Sequence, residues 1–133
     1  MQETVVVQTS ARSQLVDITE RVEQALRELP SRDGVCHVFV PHTTAGITIN
    51  ENADPSVRRD ILAYLDRLVP WQGDYAHSEG NSAAHIKSSL VGCSETLIIR
   101  GGRPLLGTWQ GVYFCEFDGP RNRRVAVQCY GAS

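Results

Sequence analysis

No run of apolar residues in the 133-residue chain approaches the ~18–20 that a bilayer-crossing helix needs, so no membrane span is expected. The start, Met1-Gln2-Glu3-Thr4-Val5-Val6-Val7, has neither a basic segment nor a cleavable apolar one, and no signal peptide is expected. A net charge of −2 leaves no basic excess for general nucleic-acid binding. The four cysteines, Cys36, Cys93, Cys115 and Cys129, include no CxxC pair, and their spacing fits neither a zinc ribbon nor a small disulfide scaffold. Three of them sit among strand formers, which reads as reduced core thiols in a cytoplasmic protein. Neither GxxxxGK(S/T) nor GxGxxG occurs, so no nucleotide fingerprint is present. Repeats, low-complexity tracts and linkers are also absent, and the length suits one domain, residues 1–133.

What is present is the composition of a globular domain, 41% hydrophobic and 21% charged. Strands are predicted at Glu3–Thr9, Ser13–Val16, Val35–Val40 and Ala45–Asn50 from their apolar and β-branched runs. A helix follows Asp17, its cap, with Glu20 completing a box-like pair. Its stripe is Ile18, Val22, Ala25, Leu26 and Leu29, and Pro30 ends it. A second helix starts at Asp54-Pro55, with a buried stripe of Val57, Ile61, Tyr64, Leu65 and Leu68. Asn81 caps a third, Ser82–Val91, which Gly92 terminates. Strands return at Glu95–Arg100, Arg103–Leu106, Thr108–Phe117 and Arg123–Tyr130. The order β2-α-β2-α2-β4 implies an α+β domain with a mixed or antiparallel sheet. Its strand edges need cover, and self-association supplies it in a small chain.

Chemistry is sought first at the histidines. His37 alternates with Val35 and Phe39, which reads as a satisfied core or interface residue. His42 closes a strand, His77 lies in a polar loop and His85 is in the first turns of the third helix. First-turn side chains project back toward the preceding loop, so His77 and His85 can meet. Three neutral imidazoles suit zinc with one open position, and solvent-exposed loop histidines are the plainer alternative. Among carboxylates, Asp54 is explained as a cap, and Glu51 is left as a candidate general base. Glu116 stands on an apolar strand face and needs a partner, for which Arg121, Arg123 and Arg124 are available. Converging cations, these arginines, Arg58-Arg59, Arg100, Arg103 and Lys87 among them, suit a phosphorylated small molecule.

The stretch Ser94-Glu95-Thr96-Leu97-Ile98-Ile99-Arg100-Gly101-Gly102-Arg103-Pro104-Leu105-Leu106-Gly107-Thr108-Trp109-Gln110-Gly111-Val112 resembles the signature of the YjbQ family. So do His42-Thr43-Thr44-Ala45 running to Asn50-Glu51 and Asp54-Pro55, Tyr75-Ala76-His77 with Asn81 and His85, and Glu116-Phe117-Asp118-Gly119-Pro120-Arg121. The resemblance implies a homotrimeric α+β protein with sites near subunit contacts. It also implies a divalent metal on His42, His77 and His85, for which imidazole donors favour zinc. The family is commonly labelled secondary thiamine-phosphate synthase, which joins a pyrimidine diphosphate to a thiazole phosphate and releases pyrophosphate. Three histidines are the wrong donors for Mg²⁺, which would arrive with the diphosphate. On this reading Glu51, Asp54 and Arg121 are catalytic, and Thr43, Thr44, Asn81, Trp109, Gln110 and Glu116 meet substrate. A trimeric, non-enzymatic ligand- or metal-binding module and a metal-dependent hydrolase are the competing readings.

Overall fold

The computed structural model describes residues 2–29 and 32–132. Their elements are β1 (Gln2–Gln8), β2 (Gln14–Asp17), α1 (Thr19–Leu26), β3 (Gly34–Phe39), β4 (Ala45–Glu51), α2 (Pro55–Leu68), α3 (Ser82–Val91), β5 (Ser94–Arg100), β6 (Arg103–Pro104), β7 (Gln110–Glu116) and β8 (Asn122–Gly131). The class is α+β. The strands divide into two antiparallel sheets, ordered β1-β8-β3-β5-β6 and β2-β7-β4.

Burial along the strands shows how the layers stack. β8 alternates, with Arg123, Val125, Val127 and Cys129 buried, so its sheet is covered on one side. β7 is buried without interruption from Gly111 to Glu116, so the smaller sheet is covered on both sides. Val112 and Phe114 meet the larger sheet and α1 in one core, while Tyr113 and Cys115 meet α2 and α3 in a second. At about 25 cal/mol per Å² of apolar surface removed from water, these two interfaces are the main source of stability.

The helices differ in detail from the sequence expectation. α1 begins at Thr19 with Ile18 in the cap position and no side-chain cap; Asp17 Oδ1 instead accepts from Thr19 N at 2.9 Å and Thr19 Oγ1 at 2.6 Å, so the expected Asp17–Glu20 box is not formed. Pro30, expected to end this helix, lies outside the described residues. α2 starts as predicted, with Asp54 Oδ1 accepting from Ser56 N at 2.9 Å and Pro55 in the first position. Its buried stripe does not hold: Tyr64 and Leu68 are 58% and 57% exposed, and Ile61, Leu62 and Leu65 make the contact. A helix lying on a three-stranded sheet turns only a narrow edge inward, so half of its apolar positions face out. α3 ends at Gly92, whose φ of 97° suits glycine.

The cysteine expectation is corrected. Cys36 and Cys129 stand opposite each other in the β3–β8 register and form a disulfide, a juxtaposition hidden by a separation of 93 residues. Cys93 is exposed and free, while Cys115 is buried and free. Burial pushes the Cys115 thiol up to about 12, so it supplies no thiolate. No helix among the described residues is long and apolar enough to cross a membrane.

Candidate active site

Three of the connections that cross between the sheets meet at one corner: 9–13 from β1 to β2, 40–44 from β3 to β4, and 117–121 from β7 to β8. Backbone bonds tie them together, Thr9 N to Arg121 O at 2.9 Å, Phe117 N to Thr44 O at 3.2 Å and Gly119 N to Arg12 O at 3.1 Å. A side chain on Gly119 would put Cβ 2.3 Å from Ala11 O, so this close crossing admits only glycine.

The floor of this corner is an ion pair. Glu116 and Arg123 are 0% and 4% exposed. Arg123 Nε donates to Glu116 Oε1 at 2.9 Å, and Arg123 Nη2 reaches both Glu116 Oε2 and Thr44 Oγ1. The carboxylate also accepts from Thr9 Oγ1 at 2.8 Å and Asp118 N at 3.0 Å. Burial acts to raise the Glu116 pKa, but the bonds from Arg123, Asp118 and Thr9 together hold it below its ordinary value. Glu116 is thus buried against Arg123, which is the arginine that partners it.

Above the floor sit the groups with free chemistry. Asn81 Nδ2 donates to Asp118 Oδ2 at 2.9 Å, so this amide leaves the N-cap role expected of it. Asn81 Oδ1 is buried without a partner among the described residues, an unused acceptor. Arg121 is held by the same residue, Nη2 donating to the carboxylate Asp118 Oδ2 at 3.0 Å and Nε to the backbone Asp118 O at 2.8 Å, with half its side chain exposed. One cleft of about 480 Å³ is lined by His42, Thr43, Thr44, His77, Asn81, His85 and Arg121, together with Glu79, Asp118 and Arg123.

The imidazoles in this cleft differ from one another. His77 and His85 stand edge to face with ring centroids 5.5 Å apart. Two imidazoles on one tetrahedral ion, with Zn–N near 2.1 Å, hold their centres about 5 Å apart, so this pair fits a shared ion. His42 is engaged elsewhere, since its Nε2 accepts from Arg124 N at 3.0 Å. A neutral ring accepting at Nε2 carries its proton on Nδ1. Burial, and then the nearby Arg123 charge, lower the His42 pKa and favour that neutral form. As placed, neither nitrogen of His42 offers a free lone pair. Among the described residues no three His, Cys, Asp or Glu side chains stand at ligand spacing.

Four expected site residues lie elsewhere. β4 runs from Ala45, opposite Glu116, to Glu51, opposite Gln110, six steps of ~3.3 Å and so about 20 Å away. Glu51 there accepts from Ala53 N at 2.8 Å, and Asp54 caps α2. Trp109 is 62% exposed and Gln110 Oε1 accepts from Gly107 N at 2.8 Å, both at that far end. Adjacency to His42 in sequence misleads because a strand carries its two ends to opposite poles. His37 is exposed on the open face of the larger sheet, 3.1 Å from Thr96 Oγ1, and is not a core residue. Sequence reasoning missed Glu79, two residues beyond His77 in the same loop, and Cys93, which shares an adjoining cavity with His42 and His85.

A family model described as UPF0047 protein YjbQ-like matches residues 3–132. The UPF0047 protein MJ1081 of Methanocaldococcus jannaschii is 58% identical over 125 residues, 94% of this chain and 91% of that one. The UPF0047 protein YugU of Bacillus subtilis is 50% identical, covering 98% of this chain and all of its own length. A crystal structure of an uncharacterized conserved protein of the same family from Clostridium acetobutylicum superposes with a TM-score of 0.94 at 56% identity, covering 96% of this chain and 99% of that chain.

Proposed function

The chain belongs to the YjbQ-like UPF0047 family, and on that footing we propose that it is an enzyme acting on a small phosphorylated molecule in the histidine cleft. The observation that carries this reading is convergence. Three imidazoles and the half-exposed Arg121, from three segments distant in sequence, line one concave surface over a buried ion pair. Arg121, oriented by Asp118, binds a phosphate oxygen through its remaining N–H groups. Asn81 Oδ1 accepts a hydrogen bond from the bound molecule. His42 donates from Nδ1 into the cleft, its other nitrogen occupied by Arg124 N.

His77 and His85 would hold a divalent ion, with His42 as the third imidazole only if it releases Arg124, and this donor set suits zinc. When bound, such an ion supplies a Lewis acid and an acidified water. Mg²⁺ would come with a diphosphate, for which Glu79 is the available carboxylate, since Asp118 is engaged by Arg121 and Asn81. The finer form of the reading, thiamine-phosphate synthesis, rests on the family resemblance alone.

The test is incubation of purified protein with hydroxymethylpyrimidine diphosphate and thiazole phosphate, with and without chelator, alongside elemental analysis. Thiamine phosphate and pyrophosphate should form and should be lost in Arg121→Gln and His85→Ala, with His37→Ala active. No product from metal-loaded protein would sink the synthase form. Hydrolysis of the diphosphate alone under those conditions would replace it with the hydrolase reading.

A further inference from the structure

Apart from the histidine cleft, a second cavity of about 410 Å³ lies where α2, α3 and the β1–β2 connection meet, lined by Arg12, Ser13, Asp66, Pro70, Trp71 and Lys87. None of these residues lines the cleft. Lys87, on α3, is 2% exposed, an unusual position for a lysine. Its Nζ bonds to Asp66, and no other acceptor among the described residues reaches it. An ammonium carries three donors, so two are left in a buried setting, where unmet donors are costly.

Arg12 forms the opposite wall. Its guanidinium carbon sits 4.2 Å over the Trp71 ring, and no N–H of that group bonds to a described residue. Stacking fixes the plane of the fork and leaves its edge free, which removes part of the entropy of ordering an arginine on a ligand. The local charge is two cations against the single carboxylate of Asp66, which is itself 58% exposed and so strongly hydrated. The unmet donors of Lys87 and Arg12 outnumber the acceptors the cavity offers, which are the second Asp66 oxygen and the Ser13 hydroxyl.

We propose that this cavity is a second binding site that takes the phosphate or carboxylate group of a small molecule, with Lys87 at its base and Arg12 at its mouth. Oxyanions satisfy both cations at once, because they offer acceptors only and match the planar guanidinium edge. A neutral ligand would leave the charge unbalanced. The proposal is independent of the chemistry assigned to the histidine cleft.

The full chain would be titrated with inorganic phosphate and, separately, acetate, with chloride holding ionic strength constant. The Trp71 Nε1–H and Arg12 Nε–H resonances report on the cavity. A saturable shift with either anion is expected, and which anion saturates first names the group. Affinity should fall at least about tenfold in Arg12→Gln and in Lys87→Met, the size of losing one charge-assisted bond. It should persist in Arg121→Gln, which disables the cation of the histidine cleft. If Lys87→Met fails to fold, Arg12→Gln, altering an exposed loop side chain, decides alone. Shifts that match chloride, that survive Arg12→Gln, or that vanish in Arg121→Gln would overturn the proposal.

Discussion

His42 is defined as much by its proton as by its position. With Nε2 accepting from Arg124 N, the neutral ring is the Nδ1–H tautomer, and burial and Arg123 disfavour the cation. Long-range ¹H–¹⁵N spectra should therefore show an unprotonated Nε2 at neutral pH and a titration midpoint below 6.5. Since the folded pKa is lowered, the His42 contribution to stability is present above 6.5 and lost as pH falls through the folded value. A midpoint above 6.5 would show that burial and the Arg123 charge do not govern this ring, and a protonated Nε2 would show that the Arg124 bond is not formed. Glu116 follows the same sign lower on the scale: its contribution is full above 4.5 and disappears as pH falls through its lowered value. Glu116→Gln should flatten that acid limb and cost roughly 3–5 kcal/mol at neutral pH, because it strands a buried guanidinium. Urea titrations at several pH values measure both effects, and a variant as stable as wild type would mean that Arg123 finds another acceptor.

At the scale of elements, the parts legible in the sequence are those whose cause is local. Asp54-Pro55 announces α2 because a cap and a first-position proline act within four residues, and Gly92 marks the end of α3 for the same reason. Asp54→Ala should thus lower the melting temperature while Asp54→Asn retains most of it, since only the accepting oxygen caps. What is illegible depends on partners far away in sequence. The inward edge of α2, Ile61, Leu62 and Leu65, is narrower than its apolar pattern and depends on the width of the sheet beneath it. Glu51 was drawn into the site because nine residues from His42 is near in sequence and about 20 Å away along a strand. His77 and His85, set by a loop folding back on a first helical turn, were legible, but the Arg124 bond of His42 spans 82 residues and was not. The Cys36–Cys129 disulfide is likewise a fact of strand register. Closing a 93-residue separation removes chain entropy worth about 4–5 kcal/mol in the usual model. Reduction, or Cys129→Ser, should lower unfolding free energy by about that much, and unreduced denatured protein should alkylate at Cys93 and Cys115 only.

For the whole molecule the informative surface is the outer face of the five-stranded sheet. α2 and α3 cover the smaller sheet, and no helix covers this one, which leaves Val6, Phe39, Ile98 and Tyr130 at 64%, 44%, 51% and 59% exposure. The register groups three of the apolar residues, Val35 opposite both Tyr130 and Ile98, while a polar row of Gln128, His37 and Thr96 separates them from Phe39, and Val6 on β1 stands opposite Arg124. Exposed large apolar side chains gathered on one sheet face suit an interface whose remaining contacts are polar. The family resemblance implies self-association into three subunits, and this face is where the interface is expected. The expected mass is therefore about 44 kDa, three chains of 14.7 kDa. Phe39→Glu places a carboxylate on that face at the end of its central strand, where association would bury it unpaired at a cost of several kcal/mol. Because Phe39 points away from the core, the monomer should still fold. Sedimentation of the wild type and Phe39→Glu at micromolar concentration separates the outcomes. A trimer that becomes a folded monomer places the interface on this sheet, a trimer unaffected by the change places it elsewhere, and a wild-type monomer removes assembly from the account of this protein.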